Sequence, residues 1–362
     1  MSHLSLQGIV KRYAGRTVVD GVDLAVERSE LMCILGPSGC GKTTLLGIVA
    51  GFVELDAGEI VVAGRSIGRV PPHRRNMGMV FQNYALFPHL TVEDNVAFGL
   101  RLRRASTLEI RRRVAAALAL TRLGGFERRY PHQLSGGQQQ RVAMARVLAI
   151  EPDVLLLDEP FSNLDAKLRR EMRDEVRRIQ KTTGITTIFV THDQEEALAI
   201  SDRVAVMRDG RIEQIDDCRS IYERPRTPFV ASFMGESNRL GGIVEAVDGD
   251  RAMLRCSGDV RASGLAPHPP LSLGQEALLF VRPERVLIAP AGGSTASDVV
   301  LTGTIEGLMY LGARTRIAVR TPVGPFNVEA SDLPDHAMEV GRQITIGWQS
   351  RHAVVFPAEG AP

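Results

Sequence analysis

Two stretches of the sequence could each hold an anion. GPSGCGKTT (36–44) fits the pattern GxxxxGK[ST], with an apolar run before it and a helix-forming run after it. In that setting the backbone from Gly36 through Pro37, Ser38, Gly39, Cys40 and Gly41 is expected to wrap a β-phosphate. Lys42 would reach the β/γ oxygens, and the Thr43 hydroxyl, followed by Thr44, would be a ligand for Mg²⁺. Cys40 would offer only its backbone. An ordinary glycine turn is the alternative, and a strand and a helix on the correct sides weigh against it. The second stretch, LSGGQQQRVAMARVLAI (134–150), begins as a Ser-Gly-Gly loop and continues as a helix. Ser135 stands where an N-cap belongs, and the alanine-containing run after Gly137 favours helix. Such a terminus gathers unpaired N–H groups and about half a positive charge, so Ser135, Gly136, Gly137 and Gln138 form a second anion site. One phosphate tail needs only one such cradle.

Asp158 and Glu159 follow the straight apolar run VLLL (154–157). Alone at a strand end, two acids are ordinarily just solvated. Beside a phosphate loop the balance reverses, because phosphoryl transfer needs a carboxylate near Mg²⁺ and a group that orients water. Asp158 is therefore expected in the Mg²⁺ shell, and Glu159 on the attacking water as general base. His192 ends another apolar run, TTIFVTH (186–192). Ligands of open parallel sheets gather at strand C-termini, which favours contact with a γ-phosphate over a purely structural histidine. Gln82, in MVFQNYALFPHL, could orient water or complete the Mg²⁺ shell. Tyr13 lies near a hairpin, where packing is the ordinary reading; stacking on adenine is the functional one.

The elements that must position these residues can be read from periodicity. Residues 1–30 alternate apolar and polar (Val22, Leu24, Val26), as half-buried antiparallel strands do. LMCIL (31–35) is a buried strand feeding the glycine loop, and 99–150 reads mostly as helix. Leu168, Met172, Val176 and Ile179 recur at helical spacing between two apolar runs, predicting a βαβ unit and a parallel sheet. From Gly241 on, short strand-like runs alternate with turns, and LAPHPPLSLG (265–274) reads as loop. A second, all-β domain, a small barrel, is expected at 240–357.

Composition narrows the setting. At 362 residues two domains are the default, and 44% hydrophobic with 24% charged residues is ordinary for a soluble protein. A formal net charge of +2 provides no global basic field, so no nucleic-acid partner is expected. The four cysteines form no CxxC pair and the eight histidines no HxxxH, which argues against disulfides and a zinc site. MSHLSLQGIV lacks the build of a signal peptide, and no apolar run approaches the roughly 18–20 residues that span a bilayer. A cytoplasmic chain is expected, with any membrane span supplied by other subunits.

Taken together these residues resemble the ABC-transporter ATPase family, in order across residues 4–235. The likeness rests on a Walker A loop (36–44), a Q-loop (Gln82), the LSGGQ signature (134–138), a Walker B strand (154–159), a D-loop (SNLD, 162–165) and a switch histidine (His192). It implies an α/β P-loop NTPase over residues 1–235: a RecA-like core, an antiparallel β-subdomain and a helical subdomain at about 88–152. ATP and Mg²⁺ are the implied cofactors, and Asp165 joins the nucleotide-contacting residues. Asn163 stands where many members have alanine, a departure expected to matter little. The resemblance also accounts for two cradles. Family members pair head to tail, each ATP lying between one subunit's Walker A and the other's signature, so Ser135 and Gly137 would serve the partner's ATP.

The C-terminal segment is similar to the TOBE-type, OB-like domains of bacterial binding-protein-dependent importers, through VRPERV (281–286) and GTIEGLMYLGARTRIAVR (303–320). MGESNRLGGIVEAV (234–247) looks most like the putrescine/spermidine-type branch, while iron(III), phosphonate and sugar importers share much of the architecture. The implied partners are a second copy of the chain, two permease subunits and, indirectly, a periplasmic or extracellular solute-binding protein. The implied place is the cytoplasmic face of the inner membrane. Asn83–Phe87 (NYALF) is a candidate socket for a permease helix, with local core packing as the equal alternative. A soluble ABC ATPase acting on DNA or ribosomes is the rival, disfavoured by the lack of sustained heptads and by the single Walker A. A third possibility, compatible with transport, is a β-domain that senses a small ligand and regulates the ATPase.

Overall fold

The alternation at the N-terminus becomes an antiparallel pair, β1 (Leu4–Tyr13) and β2 (Arg16–Val26), which buries Leu4, Leu6, Val22 and Leu24. The computed structural model describes residues 2–266, 271–331 and 339–358, which fall into two compact units, Met1–Arg219 and Ser220–Pro362. In the first unit β3 (Leu31–Leu35) is buried at every position, and the glycine loop leads from it into α1 (Lys42–Ala50). β4 (Ala57–Val62) and β5 (Arg65–Ser66) return to the N-terminal pair, giving an antiparallel sheet in the order β2-β1-β4-β5. β6 (Met77–Val80) then precedes three helices, α2 (Val92–Leu102), α3 (Thr107–Leu120) and α4 (Gly136–Leu148). Thr91, Ser106 and Ser135 cap them, each accepting from a backbone N–H of the first turn. The three helices share a core of their own, which includes Val92, Val96, Leu100, Val114, Leu118 and Val142.

β7 (Val154–Asp158), α5 (Ala166–Thr183), β8 (Thr186–Thr191), α6 (Gln194–Ile200), β9 (Arg203–Arg208) and β10 (Arg211–Asp217) complete the unit. The main sheet runs β10-β9-β3-β8-β7-β6. It is parallel from β9 to β6, with β10 an antiparallel edge. The expected βαβ unit is β7-α5-β8, and α5 buries Met172, Val176 and Ile179, with Leu168 half-buried. Register decides what this sheet can do. Leu35 is level with Thr191, and Asp158 with Val190, so the residues that follow β3, β7 and β8 emerge side by side.

The second unit departs from the sequence reading in two respects. Its β-strands do not form one barrel alone. β11 (Asn238–Asp248), β12 (Arg251–Cys256), β13 (Arg261–Leu265), β14 (Glu276–Val281) and β20 (Ala353–Pro357) close a barrel in the order β11-β12-β13-β20-β14. β15 (Leu287–Pro290), β16 (Val299–Tyr310), β17 (Thr315–Thr321), β18 (Gly324–Ala330) and β19 (Gln343–Trp348) make a second sheet, β15-β19-β16-β17-β18. One core serves both, with Leu254, Leu279 and Val355 from the barrel meeting Ile317, Phe326, Ile346 and Trp348 from the sheet. Turn spacing in a sequence reports strands, not which sheet each joins. Residues 267–270 of the loop read at 265–274 lie outside the described residues.

The boundary also differs: the texture change places it at 235–240, and the contacts place it at 219/220. The helices α7 (Cys218–Glu223) and α8 (Pro228–Phe233) account for this. Ala231 of α8 packs with Phe280, Val354 and Phe356. Buried Arg282 donates to the carbonyls of Gly235, Glu236 and Tyr222 and to Ser237 Oγ, with its guanidinium 4.4 Å from the Tyr222 ring centre. Burial and a 2.7 Å hydrogen bond to Glu284 hold the Tyr222 hydroxyl's pKa up at about 12. Helical sequence reveals a helix, not the core on which it rests. No helix among the described residues is long and apolar enough to cross a membrane.

Candidate nucleotide site

Gly36 follows β3 so tightly against β9 that a methyl group there would sit 2.3 Å from the Met207 carbonyl oxygen. At Gly41, φ is 107° and a methyl group would come within 2.5 Å of the Val18 carbonyl of β2. Only glycine fits either place. Lys42 is buried, its ammonium donating to the Gly36 carbonyl at 2.8 Å and the Pro37 carbonyl at 3.0 Å. The cation is thus held inside the loop, where phosphate oxygens would compete for it. Burial raises the Cys40 thiol above its ordinary pKa, so its buried sulfur stays a neutral filler beneath the loop. Ser38, Gly39 and Thr44 complete the turn and the first helical residues.

Across the sheet, the Thr43 hydroxyl donates to Asp158 Oδ1 at 3.3 Å. Burial pushes the Asp158 carboxyl up, the Thr43 hydrogen bond opposes this, and the Glu159 charge adds to it. Hard oxygens from a hydroxyl and a carboxylate are a donor pair suited to Mg²⁺, so the residues fit that ion. Glu159 adopts φ 43°, in the left-handed region, and its N–H donates to the Val190 carbonyl at 3.0 Å. Its Oε1 lies 3.2 Å from His192 Nδ1. Strand register therefore brings together the loop, the two carboxylates and the histidine. Gln82 is exposed just beyond β6, and its carbonyl accepts from Asn163 Nδ2 at 2.9 Å. That bond gives Asn163 a contact which the sequence reading had treated as inconsequential; the two lie 81 positions apart, and no local pattern links them. Tyr13, 46% exposed at the β1–β2 hairpin, has the Lys11 ammonium 5.3 Å from its ring centre.

The second cradle is built as a capping box. Ser135 Oγ accepts from the Gln138 N–H at 3.4 Å, and Gln138 Oε1 accepts from the Ser135 N–H at 3.0 Å. A methyl group on Gly137 would meet Leu168 at 2.8 Å, so α4 lies close on α5. Asp165 caps α5, its Oδ1 accepting from the N–H groups of Lys167 and Leu168. Ser135 and Gly136 are exposed. Among the described residues no hydrogen bond or ion pair joins 134–138 to 36–44. Within NYALF, Tyr84 is 5% exposed, Leu86 packs partly on the helical core and Phe87 lies 4.4 Å from the Phe98 ring, while Asn83 and Ala85 are exposed.

A glycine loop after an inner parallel strand, a hydroxyl–carboxylate pair and a glutamate–histidine pair define a P-loop ATPase, here carrying an additional β-unit. A family model described as ABC transporter matches residues 19–162, and one described as TOBE domain matches residues 279–356. The chain is 47% identical to the spermidine/putrescine import ATP-binding protein PotA of Rubrobacter xylanophilus, over 97% of this chain and 93% of that one. It is 45% identical to the protein of the same name from Acidothermus cellulolyticus, over 99% and 97%. Among solved structures it is similar to CbiO1 from Clostridium perfringens, part of the ABC transporter complex CbiONQ. That match has a TM-score of 0.58 and 33% identity over 61% of this chain and 90% of the other. A dimeric ATP-binding cassette in a post-hydrolysis state, bound to ADP and Pi, gives a TM-score of 0.54 and 32% identity over 60% and 99%. The chain belongs to the ABC transporter family, as an ATPase that energises an importer.

Proposed function

We propose that this chain is the ATPase of a polyamine importer, acting as a homodimer at the cytoplasmic face of the membrane beneath two permease subunits. The observation that carries this is the near full-length likeness to two spermidine/putrescine import ATP-binding proteins, which spans both units.

The chemistry follows from the residues at the strand ends. The loop from Gly36 to Gly41 binds the phosphate tail through its backbone, and Lys42 exchanges its two carbonyl partners for β/γ oxygens. Thr43 and Asp158, with Gln82 just beyond β6, the strand paired with β7, would hold Mg²⁺, an ion that when bound offsets charge on the transferring phosphoryl group. Glu159 orients the attacking water and takes its proton. His192 steadies that carboxylate through Nδ1, leaving its other ring nitrogen for the γ-phosphate. Tyr13 stacks on the adenine. Ser135, Gly136, Gly137 and Gln138 grip the γ-phosphate bound to the second copy, since their capped helix end has no bond to the chain's own loop among the described residues. Asp165 lines the same dimer site through the turn that starts α5. Closure on two ATP molecules and reopening after hydrolysis would drive the permeases.

Reconstitution tests the reading. With permeases and a solute-binding protein, ATP turnover is expected to rise when the binding protein is loaded with putrescine or spermidine. Aminoethylphosphonate and ferric iron serve as controls. Stimulation by either control, with polyamines silent, would replace the cargo and leave the importer standing.

A further inference from the structure

The loop that follows Gln82 is strained and held from outside. Tyr84 and Ala85 have φ of 61° and 45°, two consecutive residues with side chains in the left-handed region. Such strained residues persist only where the surrounding structure imposes their conformation. The Tyr84 N–H donates to the Phe81 carbonyl and the Ala85 N–H to the Asn83 carbonyl within the loop, and from outside Arg146 of α4 donates through Nη1 to the Ala85 carbonyl at 2.7 Å and through Nη2 to the Tyr84 carbonyl at 3.0 Å. The guanidinium also lies 5.7 Å from the Phe87 ring centre. It has no carboxylate partner among the described residues, and burial lowers its pKa, so a half-buried cation is devoted to two backbone oxygens. An apolar residue would fill that space without the cost of desolvating a charge. Arg146 stands on the same rigid helix as the Ser135 cap, about 16 Å along it. From the other side Asn163 holds the Gln82 carbonyl.

We propose that Arg146 is a positioning residue for ATP hydrolysis: it locks the loop behind Gln82 to the helix headed by Ser135. The group serving the chain's own nucleotide and the group serving the partner's then move as one body. The inference rests on the roles proposed above for Gln82 and Ser135.

The test is a double-mutant cycle on the full-length chain, read as ATP affinity, KM, kcat and thermal unfolding. Arg146→Lys keeps the charge but cannot fork both carbonyls. It is expected to lower kcat about tenfold, with ATP affinity and KM within about twofold. In a Gln82→Ala background the same substitution should cost less than about twofold, because its effect passes through Gln82. If Arg146→Lys folds poorly, Arg146→Gln, which likewise cannot reach both carbonyls with a guanidinium fork, is run through the same cycle, and a loss of kcat that vanishes without Gln82 is again expected. Equal losses with and without Gln82, or a loss confined to ATP affinity, would overturn the positioning role while leaving the importer reading intact. If Gln82→Ala itself leaves turnover unchanged, the role of Gln82 falls and the proposal with it, a result distinct from the other two.

Discussion

Glu159, proposed above as the general base, shows how far a side chain's aim depends on its surroundings. Its backbone lies in the left-handed region at φ 43°, an arrangement that costs about 1–3 kcal/mol and persists only where neighbours enforce it. The enforcing contacts are its N–H on the Val190 carbonyl and its carboxylate against His192 Nδ1. The neighbouring Asp158 turns instead to Thr43. Two adjacent acids are thus aimed at different partners, one at the Thr43 hydroxyl and one at a histidine. Glu159→Gln preserves size and direction and removes the proposed base. It is expected to keep ATP binding, lose turnover on the order of a hundredfold or more, and accumulate as an ATP-bound dimer. Steady-state ATPase and size-exclusion chromatography with ATP measure this; turnover within a few-fold of the parent would remove Glu159 from the role of base.

On the scale of elements, α4 carries the most. Its N-terminus is closed by the Ser135–Gln138 capping box, its second residue, Gly137, brings it close to Leu168 of α5, and Arg146 holds the loop after Gln82. A helix so constrained at both ends presents its capped end as a rigid group. Ser135→Arg is accordingly expected to leave ATP affinity of the single subunit within about twofold, because the Lys42 loop is untouched. Dimer closure and hydrolysis should stop. Mixing Ser135→Arg with inert Lys42→Ala chains should recover partial activity, one complete site per heterodimer arising from an intact Lys42 and an intact Ser135. Loss of ATP binding by the Ser135→Arg monomer would instead place the capped helix in its own subunit's site.

For the molecule as a whole, the boundary between the two units carries a prediction of its own. The β-unit incorporates α7 from Ser220 on and all of α8 because Arg282 is buried among carbonyls from 222 and 235–236, and Ala231 packs on Phe280 and Phe356. A fragment beginning at Ser220 is expected to unfold cooperatively. One beginning at Leu240 strips that guanidinium of its partners, which costs about 1–3 kcal/mol or more and should lower the melting temperature by on the order of 5–10 °C. Calorimetry on the two fragments decides it. Equal melting temperatures would return α7 and α8 to the ATPase unit.

Sequence alone determined the features that depend on a residue and its near neighbours. GPSGCGKTT, VLLLDE and TTIFVTH each combine a buried strand with the polar residue at its end, and LSGGQ combines an N-cap with the helix it caps. Short-range sterics and periodicity suffice for such pairings, so the strands, the amphipathic α5 and the placing of these polar residues at strand ends were legible. Tertiary structure decided what touches across long separations. It set Glu159 against His192, Asn163 against Gln82 and Arg146 against Tyr84 and Ala85, turned Tyr84 inward, divided the β-unit between a barrel and a sheet, and assigned α8 and most of α7 to that unit. The physical reason is common to these cases. A buried hydrogen bond or packing contact depends on which surfaces the fold brings within a few ångströms, and that depends on sheet order and register, which no local run of residues encodes.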